Sequence, residues 1–216
     1  MATTKVTDIL DRASIILQDN TNVRFPNEEL LKFFNDAQKE VALHRPDSTM
    51  VNTDYDLQAG SKQTLPAAAL RLVDVIRNVG GRAITQVQRR ILDETLPSWH
   101  EAATGPNKIE HYVYDPADPK TFYVFPNGLH SVELLYSAAP IEIAISDFSS
   151  DTTVVGMDDI YVNCILDYVL YRSYQKDSEF AGNPERAMMH YSSFSNALGI
   201  KTQADSAITP KPYQGR

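Results

Sequence analysis

Apolar residues along the chain keep two different periods, and the switches between them divide it into three stretches. In residues 4–18, Val6, Ile9, Ala13, Ile16 and Leu17 recur every three or four positions, which is one face of a helix. Asp19-Asn20-Thr21-Asn22 is turn chemistry. Pro26-Asn27-Glu28-Glu29 then reads as a helix start, with Asn27 as its cap and two carboxylates in the positive first turn. Leu30, Phe33, Phe34, Ala37 and Val41 form its apolar stripe, and Pro46 ends it, because proline disfavours the α conformation at Arg45.

From about residue 47 the period shortens. Residues 64–66 and 71–79 read as strands, the second rich in Leu72, Val73, Val75 and Ile76. Gly80-Gly81 suits a primed hairpin turn leading into residues 83–90. A second hairpin joins residues 109–114 to 121–125 across Asp115-Pro-Ala-Asp-Pro119, whose prolines have no place in a central strand. Residues 131–137 are a further strand, and together these predict a small antiparallel β domain. Helical spacing returns at Asp158-Asp159 and continues to about residue 177, where Val162, Ile165, Leu166, Val169 and Leu170 share one side. Tyr161, Cys164, Tyr168 and Tyr171 occupy another side, so this helix must be covered from more than one direction. Gly182-Asn183-Pro184 restarts the chain into a last helix marked by Ala187, Met188, Tyr191, Phe194 and Leu198, with Gly199 as its end.

The fold expected is α+β. Helix pairs from residues 1–46 and 156–199 form a four-helix bundle, residues 47–155 insert as the antiparallel β domain, and residues 200–216 form an extended arm. Composition adds the charge distribution. The net charge of −8 is spread as −1, −6 and −3 over residues 1–46, 47–155 and 156–199, with +2 on the tail. Gripping nucleic acid takes a surplus of lysine and arginine that this acidic body lacks. No segment approaches the roughly 18 consecutive apolar residues of a membrane helix, and the charged N-terminal stretch is not a signal peptide. The single cysteine, Cys164, fits a reducing cytoplasm.

Candidate chemistry is sparse. His44, His100, His111, His130 and His190 are scattered; His111 and His130 with Asp115 form a conceivable metal site, but His111 alternates with Ile109 and Val113 as an ordinary strand residue does. Asp158-Asp159 complements a helix dipole, and the adjacent pairs Asp93-Glu94 and Glu28-Glu29 point apart rather than into one cleft. No nucleophile elbow, dinucleotide fingerprint or Walker lysine is present. The expectation is therefore no catalytic residue, no cofactor and no metal. Eleven tyrosines against one tryptophan direct attention to surfaces instead. Tyr161, Tyr168, Tyr171 and Tyr174 either pack within the bundle or meet a neighbouring subunit, and Trp99 is either a plug over the β core or an interface anchor.

This order of stretches resembles the podovirus head-to-tail adaptors of the tail tubular protein A-like group. The resemblance runs through residues 8–47, 60–78, 111–126 (HYVYDPADPKTFYVFP) and 166–199, fold-bearing stretches rather than catalytic signatures. It implies a structural virion protein made in the host bacterial cytoplasm: a ring of about twelve copies between the portal protein and the tail nozzle protein, with a channel through which DNA passes without sequence-specific binding. It also implies that the arm, through Lys201, Ile208, Pro210, Lys211, Pro212, Tyr213 and Arg216, docks on the portal. The alternatives are another phage neck, head-completion or tail protein, or a small non-viral α+β ligand-binding domain or enzyme.

Overall fold

The computed structural model describes residues 2–101 and 108–208, in two compact units. One comprises Met1–Ser48 and Pro140–Arg216, the other Thr49–Ala139. The class is α+β, with five α-helices and two small sheets among the described residues.

The helical unit contains α1 (Val6–Ile16), α2 (Asn27–His44), α4 (Val162–Lys176) and α5 (Asn183–Ile208). α4 packs against each of the other three, which meets its need for cover on several sides. Ile165, Val169 and Leu170 of α4 lie wholly inside, with Ile9 and Leu10 of α1, Leu30 and Phe34 of α2 and Phe194 of α5. Pro26, not Asn27, stands at the N-cap of α2, and Asn27 is its first helical residue. Proline has no N–H to leave unsatisfied there, and its fixed φ suits the entry.

Residues 140–155, which the period of the sequence groups with the β insertion, belong to the helical unit. The buried side chain of Asn35 in α2 clamps Ile143 from both sides, donating to its carbonyl and accepting from its N–H, each at 2.9 Å. Further on, the Val6 N–H donates to the Thr153 carbonyl and the Val155 N–H to the Thr4 carbonyl, both at 3.0 Å.

α5 also departs from expectation. It continues through Gly199 to Ile208, so residues 200–208 are helical rather than part of an extended arm. A glycine inside a helix costs only about 1 kcal/mol, and Gly199 is followed by Lys201, Gln203, Ala204 and Ala207, all good helix formers. Residues 209–216 lie outside the described residues.

The β unit is built from two sheets. β1 (Met50–Asp56), β7 (Ser131–Ala138) and β3 (Ala69–Asn78) form an antiparallel three-stranded sheet in the order β1-β7-β3. β2 (Lys62–Thr64), β6 (Thr121–Phe125), β5 (His111–Tyr114) and β4 (Thr85–Gln86) form the other, in the order β2-β6-β5-β4. Alternation sends Val132, Leu134 and Tyr136 of β7 and Phe122 and Val124 of β6 into one shared core. The fully buried Asn78 ties its edges: its side-chain NH2 donates to the Ile109 and Arg82 carbonyls at 2.8 and 3.1 Å, and its Oδ1 accepts from the Ile109 N–H at 2.8 Å.

The sheets are antiparallel as expected except at the two-residue β4, which runs parallel to β5. The turn at Gly80-Gly81 does reverse the chain, with a single antiparallel bridge between Arg77 and Ala83. After Ile84 the chain leaves for the second sheet: of residues 83–90, expected as the second arm of that hairpin, Thr85–Gln86 form β4, and α3 (Arg89–Thr95) begins at its end.

Candidate assembly surfaces

The predicted interface residues divide by burial. Tyr161 and Tyr168 are 3% and 7% exposed and are used inside the helical core. Tyr168 meets Phe194 edge-on at 5.3 Å and Tyr171 at 5.6 Å, and Tyr171 in turn meets Tyr191 at 5.0 Å. These rings stitch α4 to α5, a use of tyrosine that needs no neighbour. Tyr171 and Tyr174 are half-buried and keep area at the surface. Tyr174 stacks on His190 at 5.7 Å, and the His190 Nδ1 lies 2.9 Å from Asp167.

Trp99 is 4% exposed and acts as a plug. With Leu92 of α3 it covers Val113 on the outer face of the four-stranded sheet, and its indole N–H donates to Asp93 at 2.8 Å. His100 packs on this indole and accepts or donates a hydrogen bond with Ser61 Oγ at 2.8 Å. These contacts seat the tryptophan loop on the sheet.

Of the arm residues, Lys201 and Ile208 fall on the α5 backbone, whereas Pro210, Lys211, Pro212, Tyr213 and Arg216 lie outside the described residues. His111 Nδ1 is 2.7 Å from Thr85 Oγ1, a strand-to-strand hydrogen bond. Among the described residues no group of three His, Cys, Asp or Glu side chains converges as a metal site would require. Cys164 is buried, and burial pushes its thiol up, away from the reactive thiolate.

Sequence reasoning missed a set of exposed apolar side chains on the helical unit. Val23 in the α1–α2 loop is 81% exposed and Phe180 in the α4–α5 loop 59%. The two loops are tied together: Arg24 pairs with Asp177 and lies 4.2 Å over the Phe180 ring, and Lys176 reaches Glu29 at 2.5 Å. Ile15 at the end of α1 and Met188 and Met189 on α5 are also exposed. Large apolar residues held outward on ordered elements are what a subunit surface offers a partner. Phe180 and Met188 were legible as apolar residues, but their direction follows only from the packing of α5 on α4.

A sequence profile of the SU10 adaptor protein family matches residues 4–212. The chain belongs to this family. The match spans all of the stretches on which the resemblance to head-to-tail adaptors rests. No curated protein matches the chain. Membership in the SU10 adaptor family makes this a bacteriophage structural protein, a virion component that assembles with other virion proteins, and not a member of an enzyme class. No helix among the described residues is long and apolar enough to cross a membrane.

Proposed function

We infer that this SU10 adaptor family member forms the ring that joins the portal to the tail nozzle, with about twelve copies around a channel for DNA. The observation that carries this reading is the family match over residues 4–212. Three features agree with it. The helical unit holds apolar side chains outward at Val23, Phe180, Met188 and Met189, and Tyr171 and Tyr174 add half-exposed aromatic area for a neighbouring copy. Tyr161, Tyr168 and Trp99, being buried, stabilise the subunit that presents those surfaces. The body is acidic, which suits a passage through which DNA slides without being held. On this reading docking on the portal falls to Lys201 and Ile208 of α5 together with Pro210, Lys211, Pro212, Tyr213 and Arg216.

The test mixes the chain with its cognate portal protein and follows the complex by size-exclusion chromatography with light scattering. The expected result is a stable complex that a variant lacking residues 200–216 fails to form while keeping its own fold. Absence of a complex, or one unaffected by that deletion, contradicts the assignment.

A further inference from the structure

The sheets of the β unit end in edges of different kinds. Beside β4 the Ile84 N–H bonds the Ile76 carbonyl of β3, and on β2 the outward Thr64 carbonyl accepts the Tyr55 hydroxyl at 2.6 Å. β1 differs. It stands at the end of the order β1-β7-β3 and keeps seven residues in unbroken register with β7. Leu57 and His130 continue that register, the Leu57 N–H donating to the His130 carbonyl at 3.1 Å. Antiparallel pairing alternates, so Val51, Thr53 and Tyr55 turn their main-chain groups to β7, while Asn52, Asp54 and Asp56 turn theirs the other way. Among the described residues no main-chain bond meets them there. The Asp54 carbonyl has a long contact with the hydroxyl of its neighbour Thr53, at 3.4 Å. Asn52, Thr53, Asp54 and Asp56 are all exposed.

The side chains specify which strand fits this edge. Val51 and Tyr55 lean on the β core, and Asn52, Asp54 and Asp56 lie on the opposite face. There Asp54 stands directly opposite Glu133 of β7, and Glu133 opposite Arg77 of β3. Arg77 is committed to Glu133 at 2.5 Å, and the Asn52 amide donates to the same carboxylate at 2.9 Å. The row across the sheet therefore reads cation, anion, anion, open position. Like charges directly opposite each other destabilise a strand pair, and a cation on a further strand beside Asp54 offsets this one. Asp56 adds a carboxylate two residues on, its Oδ1 accepting the Ser131 hydroxyl at 2.5 Å. Charges on an edge strand guard it against unwanted pairing. Those of β1 are all acidic, so a second copy of β1 is repelled and a basic strand is not.

We propose that β1 is extended by a strand from another virion protein, a segment that alternates basic with apolar residues and sets a lysine or arginine beside Asp54. Its main chain pairs with Asn52, Asp54 and Asp56, and its apolar residues continue the surface of Val51 and Tyr55. Nucleic acid does not fit, because its phosphates would face the carboxylates. The proposal rests on the reading of the chain as an assembly subunit and names the chemistry of one partner.

The test adds a short capped peptide of alternating lysine and valine to the isotope-labelled full chain and follows amide hydrogen exchange by NMR. Exchange is expected to slow at Asn52, Asp54 and Asp56 and to stay as it was at Val51, Thr53 and Tyr55, whose N–H groups already face β7. Electrostatic adhesion without strand pairing gives no such alternation. Glutamate in place of lysine, or N-methylation of the peptide backbone, is expected to remove the effect. Asp54→Asn is expected to weaken the peptide on the order of tenfold. Asp54→Lys is expected to abolish binding while leaving the chain folded, because the like-charge pair with Glu133 is then gone. No protection, protection without alternation, equal response to the glutamate peptide, or undiminished binding by either variant overturns the proposal. So does the same protection arising on concentrating the chain alone, which would make the occupant a second copy. If the portal complex forms and the peptide does not bind, the edge assignment alone falls; if the peptide binds and no portal complex forms, the adaptor reading falls and the edge assignment stands.

Discussion

At the scale of single residues, stability is concentrated where a polar group is buried or a carboxylate is surrounded by donors. Gln38 is 1% exposed, and a Cβ at Gly156 would stand 3.1 Å from its Oε1. The amide has little room to move, since its NH2 end is engaged with Asn35 and Asn35 with Ile143. Gly156→Ala is therefore expected to lower unfolding free energy by about 1 kcal/mol, read as a lower urea midpoint at unchanged slope; an unchanged midpoint would show that Gln38 yields freely. Asp159 works at the surface. It accepts the Thr3 hydroxyl at 2.6 Å and the Thr3 and Thr4 N–H groups at 3.0 and 3.1 Å, which hold its carboxyl well below the usual carboxylate range. A depressed carboxylate contributes stability that is full above its unfolded pKa and is lost as pH falls through the folded one. The loss thus begins near about pH 4 and grows downward. Asp159→Asn should flatten this acid limb while leaving the neutral-pH fold intact, as thermal melts across pH would register.

Elements hold together through α4. Phe194 of α5 is fully buried against Tyr168 and lies 5.9 Å from the His44 ring of α2, so it joins three helices at one point. Phe194→Ala is expected to cost about 3–5 kcal/mol, measured by chemical denaturation, and a loss under 1 kcal/mol would mean that this contact is not central. The helices were legible because their stripes are long and periodic. What was not legible is instructive. β1 was missed although Val51, Thr53 and Tyr55 alternate, because the strand is an edge with only Val51 and Tyr55 half-buried and two aspartates outward. β4 has two residues, and its parallel pairing is set by β5, far along the chain. In α3 only Leu92 is buried, too little for a helical period to show. Gly199 looked like a stop, and nothing within a local window distinguishes a tolerated glycine from a cap. The tyrosines of α4 looked surplus to a single subunit because the depth of cover from α1, α2 and α5 is a tertiary fact.

For the whole molecule, the absence of catalytic motifs and the acidic body were readable from the chain, whereas the outward placement of Val23, Phe180 and Met188 was not. It emerges only when elements distant in sequence meet. The net charge of −8 leads to a further expectation. The isolated chain should not retard duplex DNA in a gel even at low salt, and retention would contradict a passive passage. The most direct measurement is an electron cryomicroscopy reconstruction of the assembled phage particle with the chain identified in the density. The account predicts a ring of this chain at the junction between portal and tail, surrounding the DNA channel. Density for the chain elsewhere, or at the junction without a closed ring, would contradict it.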